Sequence, residues 1–113
     1  MRRRALLSVT LVLLLGCAEQ IPDHVALLPA AEDVAIATDP PSAQNYRVIG
    51  EVTGQAAATD VEVAQAAARN DLRNKAAALG ASLVTIDHDT GEGVLLQNKT
   101  KVTLVGRAYQ AIE

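Results

Sequence analysis

The segment from Thr59 to Gly80 limits the possible folds of this chain more than any other. Thr59-Asp60-Val61-Glu62 has the spacing of a capping box, in which a threonine begins a helix and a glutamate three residues later reaches back to it. Gly80 stands where a left-handed glycine commonly ends a helix. Between them, apolar residues recur at intervals of three and four, at Val61, Ala64, Ala68, Leu72, Ala76 and Leu79. The pattern predicts one amphipathic helix over residues 60–79, whose alanine-rich face can pack closely against a sheet.

Strand-like patterns lie on both sides of this helix. Residues 33–38 alternate weakly, and residues 46–54 alternate more clearly, with Val48 and Val52 predicted on one face. Residues 82–87 and 101–110 follow the helix, and the last strand is predicted to turn one face inward at Val102, Leu104 and Ala108. Residues 88–93 predict a turn by composition, and residues 94–96 a short additional strand. The order ββαββ predicts a single small α+β domain, with the helix packed on a mostly antiparallel sheet.

The first 17 residues have the parts of an export signal. Three arginines precede an apolar run that ends at Leu15, and this run is shorter than the roughly 20 residues that a membrane-spanning helix needs. Leu14-Leu15-Gly16-Cys17 resembles the lipobox of bacterial lipoproteins, which implies diacylglycerol on the cysteine, cleavage after the glycine and acylation of the new terminus, with palmitate among the expected chains. The alternative is an ordinary signal peptide cut elsewhere, with Cys17 a bystander.

The same resemblance predicts where the protein resides and how it is divided. Ala18 follows the cysteine, where an aspartate would be the familiar signal for retention in the inner membrane, so an outer-membrane protein facing the periplasm is expected. We predict a signal peptide at 1–16, a lipidated tether at 17–29 and the α+β domain at 30–113. A single residue that carries two or more acyl chains is enough for stable anchoring, because one chain alone binds a membrane only marginally.

Composition excludes some functions. Removal of the signal leaves 97 residues with a formal charge of −6, because the signal holds three of the basic residues and none of the acidic ones. Without a basic patch, and with Tyr46 and Tyr109 as the whole aromatic content, nucleic-acid binding is not expected. No nucleophile elbow, phosphate loop or Cys/His pair occurs, so the sequence predicts neither an enzyme nor a cofactor.

The string Asn70-Asp71-Leu72-Arg73-Asn74-Lys75-Ala76-Ala77-Ala78-Leu79-Gly80-Ala81 resembles the signature of the YjeI-like bacterial lipoproteins of unknown function (domain of unknown function 4156), which are distantly similar to the envelope-stress lipoprotein RcsF. In one relative, cysteines stand at the positions that here read Tyr46 and Ala111. If they are bridged there, the resemblance implies that strands 46–54 and 102–110 are antiparallel neighbours and that Glu51 meets Arg107 diagonally. A bridge of that span would add on the order of 4 kcal/mol, which this chain lacks.

Two sets of polar residues are candidate sites. Asn70, Arg73 and Asn74 could form a recognition face on the helix, the alternative being an ordinary solvated helix face. Asp87, His88, Asp89 and Glu92 could hold a divalent ion, with His24 joining only by chance, but a solvated polar turn is the preferred interpretation and no metal is predicted. The sequence therefore predicts a lipid-anchored envelope protein of unknown activity that works as a binding or sensing module, with the membrane and an envelope protein as candidate partners. The alternative is a small-ligand or metal carrier that uses the 87–92 turn.

Overall fold

The computed structural model describes residues 24–94 and 99–112 and shows one helix packed on a four-stranded mixed sheet. A short 3₁₀ helix, Pro29–Ala31, comes first. The strands are β1 (Ala35–Ala37), β2 (Tyr46–Ala58), β3 (Leu83–Val94) and β4 (Thr100–Ala111), and the helix α1 (Val61–Ala78) connects β2 to β3. The predicted α+β class is confirmed. Across the sheet the strands lie in the order β1-β3-β4-β2, so that β4 separates the two strands that α1 connects.

The predicted helix is present, but a different residue caps it. Asp60 is the N-cap, and its side chain accepts a hydrogen bond from the backbone N–H of Glu62 at 2.9 Å, a role that the capping-box interpretation gave to Thr59. Aspartate and threonine are both good caps, and they are neighbours here, so the sequence pattern does not decide which of them caps the helix. At the other end Gly80 has a φ of +89°, and the N–H groups of Gly80 and Ala81 donate to Ala77 and Ala76. This is the predicted left-handed termination.

The inward face of α1 consists of small residues. Ala64, Ala68, Leu72 and Ala76 are buried as predicted, and Ala67 is buried as well, whereas Leu79 is 48% exposed because it lies beyond the last helical turn. A Cβ on Gly54 of β2 would collide with the carbonyl oxygen of Ala68 and lie 2.7 Å from the amide nitrogen of Leu72. The helix backbone thus lies directly on β2, which requires glycine on the strand and alanine on the helix.

A β-bulge in β2 places some of its side chains on a different face of the sheet from the one predicted. Val48 pairs with Tyr109 and Gly50 with Ala108, so Ile49 is an extra residue in the register. Because one extra residue reverses the alternation, Val48 lies on the opposite face from Val52 and is 54% exposed, while Ile49 packs against the core. The prediction that Val48 and Val52 share a face is therefore wrong.

Residues 88–93 do not form the predicted turn. They continue β3 as far as Val94 and pair with β4, with register shifts between Ile86 and His88 and between Asp89 and Glu92. Glycine and aspartate favour turns locally, but β4 supplies ladder partners for His88, Asp89, Glu92 and Gly93, and the register shift between Asp89 and Glu92 accommodates the two residues between them. Of the short strand predicted at 94–96, Val94 ends β3, and residues 95–96 lie outside the described residues.

The implied pairing of β2 with β4 is confirmed. The two strands are antiparallel, and Tyr46 lies directly opposite Ala111. Glu51 is opposite Arg107 rather than diagonal to it, because the bulge at Ile49 shifts the register by one residue. The salt bridge of Arg107 is made with Asp87 on the other neighbouring strand.

Candidate functional site

The predicted recognition face of the helix holds an N-terminal segment of the chain itself. We call residues 25–28 the strap. The side chain of Asn70 donates to the carbonyl oxygen of Val25 at 2.8 Å. Asn74 donates to the carbonyl of Ala26 and accepts from the N–H of Leu28, both at 2.9 Å. One asparagine amide therefore pairs with the strap backbone as a neighbouring strand would, and both of its polar atoms are engaged.

Arg73 extends this contact beyond the strap. Its Nε donates to the carbonyl oxygen of Val34 at 2.8 Å, and one terminal nitrogen donates to that of Glu32 at 3.1 Å. Val34 is buried, and Val25 packs against the core. The three residues predicted as a recognition face are thus half-buried against the chain rather than solvated, and Val25, which precedes the predicted domain boundary at residue 30, packs against the core.

A second group of polar side chains lies on the sheet face that α1 does not cover. Arg107 of β4 donates through Nε to Asp87 of β3 at 2.8 Å, and Thr85 donates to the other carboxylate oxygen of Asp87 at 3.2 Å. The Arg107 side chain is 45% exposed, the Asp87 side chain is 24% exposed, and Thr85 is buried. The cluster therefore runs from the buried Thr85 to the exposed guanidinium of Arg107.

The ion pair changes the titration of both partners. The hydrogen bond from Arg107 lowers the pKa of Asp87, opposed by partial desolvation of the carboxyl group. The same hydrogen bond raises the pKa of Arg107. Asp87 therefore remains ionised below the pH at which an isolated aspartate takes up a proton. Sequence reasoning placed Asp87 in a metal-binding or solvated turn and did not identify this pair, because the signal for it is the strand register rather than a local motif.

Other polar groups, exposed or partly buried, continue this surface along β2 and β4. Glu51 is opposite Arg107, and Thr53 is opposite Val105 on the same face. Gln55 approaches Thr103 across the strands, with its amide nitrogen 3.5 Å from the hydroxyl oxygen. We call this surface, comprising Glu51, Thr53, Gln55, Asp87, Thr103 and Arg107, the open sheet face. It combines both charges with hydroxyl and amide groups, so it can make hydrogen bonds and ion pairs, and the exposed Val48 lies on the same side of the sheet.

The predicted alternative, a ligand site in the 87–92 segment, has a different geometry from the expected turn. Asp87 is bound to Arg107, and the bulge between Ile86 and His88 places His88 opposite Val105, on the same face as Asp87, whereas Asp89 is opposite Leu104 on the other face. Among residues 24–89 and 99–112, whose side chains the structure describes, no three His, Cys, Asp or Glu side chains are grouped so as to hold a metal ion.

The predicted lipid site cannot be placed on this fold. Cys17 and the signal at 1–16 lie outside the described residues, as does the tether up to residue 23. Within the described ranges, no helix is long and apolar enough to cross a bilayer.

Comparison with known proteins identifies a family but no activity. A search of curated proteins found no significant match. A family model described as "Domain of unknown function (DUF4156)" matches residues 25–111, which covers the whole packed unit from the strap to the end of β4. The chain belongs to the DUF4156 family.

Proposed function

We propose that this chain is a lipid-anchored protein of the bacterial cell envelope, held in the outer membrane by acyl chains on Cys17, whose domain faces the periplasm and acts as a binding or sensing module without enzymatic activity. The observation that carries the proposal is the position of the one cysteine in the sequence. It follows the apolar run of an export signal after a single glycine, and seven residues separate it from Val25, which packs against the core. A signal, an acylation residue and a short tether are thus followed at once by the family domain.

The open sheet face supports a function that depends on contact. It carries an exposed arginine, two carboxylates and several hydroxyl or amide groups on paired strands, so their relative positions are held by the β-ladder. The likeness to YjeI-like lipoproteins, and more distantly to RcsF, is part of this proposal and favours a role in sensing the state of the envelope. The predicted helix face is a weaker candidate, because the donor groups of Asn70, Arg73 and Asn74 are engaged with the chain's own backbone.

Lipidation is tested by mass spectrometry of the full-length protein from bacterial membranes. We expect a mature chain that begins at Cys17 and carries the mass of a diacylglycerol and one further acyl group. The Cys17→Ser variant should lose these groups and leave the membrane fraction. An unmodified thiol, or a mature chain that begins at another residue, would contradict the proposal.

The contact function is tested by photo-crosslinking in intact cells. A photoreactive amino acid replaces Glu51 on the open sheet face or, as the control, Ala66 on the exposed side of α1. We expect discrete adducts with an envelope protein from position 51 and none from position 66, and loss of the former when Arg107→Glu is added in a protein that retains its circular dichroism spectrum. Adducts that persist in that variant would show that the open sheet face is not the contact surface.

A further inference from the structure

We infer that the side of α1 on which the strap lies is a binding site for an extended segment of a partner protein, and that the strap occupies this site as a competitor. The inference goes beyond the proposed function, since it needs neither the lipid anchor nor the open sheet face. The segment that the site fits has aliphatic side chains at two positions two residues apart and a backbone N–H directly after the second. The strap defines this chemistry, because it is the segment seated there in the structure.

The strap is bound through its backbone. Its sequence, Val-Ala-Leu-Leu, has no polar side chain, so the hydrogen bonds from α1 end on main-chain atoms. Asn70 binds the carbonyl oxygen of Val25, and Asn74 binds the carbonyl of Ala26 and the N–H of Leu28. A carbonyl and an N–H two residues apart are what an extended chain offers to a neighbouring strand. Because main-chain bonds of this kind hold an extended peptide whatever its exposed side chains are, another segment of suitable shape can take the place of the strap.

The side chains of the strap alternate between the protein and solvent. Val25 and Leu27 are partly buried, whereas Ala26 is exposed and Leu28 is 54% exposed. Residues two apart in an extended segment point to the same side, which here is the side of the protein. The site therefore selects apolar side chains at two alternate positions and leaves the other two open. It specifies the shape and spacing of a partner segment rather than its full sequence.

The strap can leave without opening the core between α1 and the sheet. Asn70 and Asn74 lie two residues before and after the buried Leu72, and at about 3.6 residues per turn this places both on the side of α1 that faces away from the sheet. The strap itself has no fully buried residue, whereas Ala31 and Val34, which follow it, are buried. Segments with few buried contacts open at the lowest free energy, so the strap detaches while the rest of the domain stays folded.

The strap makes binding at this site conditional. While it is bound, both polar atoms of the Asn74 amide are engaged, so the site is closed in this structure. A released strap stays beside the site, because Arg73 still holds the following residues at the carbonyl oxygen of Val34. It therefore competes with any partner, and a segment that fills the two apolar positions better than valine and leucine do displaces it.

The experiment measures binding of a strap peptide in trans to the full-length protein in a mild detergent. The probe is a fluorescent peptide with the sequence of residues 24–30, His-Val-Ala-Leu-Leu-Pro-Ala, blocked at both ends, and anisotropy reports its binding. In the protein, Leu28→Pro removes the N–H that donates to Asn74, and the φ of −75° at this residue suits proline. We expect this variant to bind the probe several-fold more tightly than the wild type does. Equal affinity of the two proteins would overturn the inference.

The same change in the probe should have the opposite effect. A peptide with proline at the place of Leu28 cannot donate to Asn74, so its affinity for the Leu28→Pro protein should fall several-fold. Equal affinity of the two peptides would show that the site does not bind the backbone as the strap is bound.

Matched variants of the protein keep the test specific. Asn74→Ala added to Leu28→Pro should abolish binding, and binding that persists would place the probe elsewhere and overturn the inference. Val25→Ser weakens the packing of the strap and leaves its backbone unchanged, so it should also strengthen probe binding even if Leu28→Pro lowers stability. An unchanged affinity in Val25→Ser would contradict competition by the strap. Arg107→Glu should bind the probe as its parent does, which separates this site from the open sheet face.

A third probe distinguishes a partner segment from the strap of a second copy. Serine replaces the two exposed residues that match Ala26 and Leu28, and the rest of the peptide is unchanged. We expect this probe to bind as tightly as the first, because the site contacts the backbone and the two partly buried side chains. A several-fold loss would contradict a site for a partner segment and indicate a site that fits only the strap sequence.

Discussion

Asp71 of the helix accepts a hydrogen bond at 2.9 Å from the backbone N–H of Gln55, a residue of the outermost strand. Its carboxylate also forms an ion pair at 3.1 Å with Lys75, which donates to the backbone carbonyl of Thr53 at 2.8 Å. Thr53 and Gln55 belong to β2, which lies at the edge of the sheet. Two side chains one helical turn apart thus occupy a donor and an acceptor that an edge strand would otherwise offer to another chain.

Replacement of Asp71 by alanine should therefore lower the stability of the domain and leave the edge of β2 open to pairing with another chain. The half-buried N–H of Gln55 loses its partner, which we expect to cost about 1–3 kcal/mol of unfolding free energy in urea denaturation. Lys75→Ala should cost less than about 1 kcal/mol, because a carbonyl near the surface can accept from water and exposed ion pairs contribute little. We also expect sedimentation analysis at high concentration to show more self-association for Asp71→Ala than for the wild type. Equal stability of the two variants would contradict the proposed role of Asp71.

Asn74 and Asn70 allow the bonds of the strap to be compared. Asn74 makes two hydrogen bonds to the strap and Asn70 makes one, so Asn74→Ala should destabilise the domain more, by about 1–3 kcal/mol. Asn74→Asp keeps the acceptor for Leu28 but sets a carboxylate against the carbonyl of Ala26, and it should not restore stability. Thermal unfolding gives the ranking, and amide hydrogen exchange at Leu28 should accelerate most in Asn74→Ala, which removes the acceptor of that N–H. Arg73→Ala and Arg69→Ala form a matched pair on the same helix, and only the first should have a marked effect. A similar loss in both arginine variants would contradict the bonding of residues 32–34 by Arg73.

Two glycines on paired strands should respond differently to alanine. A Cβ on Gly106 of β4 would run into the backbone carbonyl of Thr85 beside the bulge of β3, and backbone cannot yield as a side chain can. We expect Gly106→Ala to cost more than about 3 kcal/mol or to prevent folding. On Gly50 a Cβ would lie 3.0 Å from the end of the exposed Leu79 side chain, so Gly50→Ala should change stability by less than about 1 kcal/mol. Urea denaturation of the two variants provides the measurement, and equal tolerance would contradict the close approach of β3 and β4.

The pair formed by Asp87 and Arg107 predicts a dependence of stability on pH. Because the pKa of Asp87 is lowered in the folded state, its contribution is present above the unfolded value of about 3.9 and is lost as the pH falls through the lower folded value. Asp87→Asn removes this contribution. The difference in melting temperature between wild type and variant should therefore be largest near neutral pH and should shrink in strongly acidic buffer. A difference that grows on acidification would contradict the assignment.

Residues that act through their neighbours in sequence were predictable. The stripe from Ala64 to Ala76 and the stop at Gly80 identify α1 to within one residue at each end, because helix hydrogen bonds and caps join residues at most five positions apart. The class of the fold follows from the order of the elements. The cap at Asp60 was missed because Thr59 satisfies the same local rule.

Residues whose role depends on a distant part of the chain were not predictable in the same way. The bulge at Ile49 places Val48 on the opposite face of the sheet. Residues 88–93, expected to form a turn, extend β3 because they pair with β4. Asp87 is bound by Arg107, a residue twenty positions away. The strap converts a polar helix face into a packed one through hydrogen bonds that span more than forty residues. The sequence by itself thus determined the helix and the class of the fold, because these depend on local periodicity. Only the tertiary structure decided the register, the facing of side chains and the use of the helix's polar groups, since each depends on which distant backbone lies within hydrogen-bonding reach.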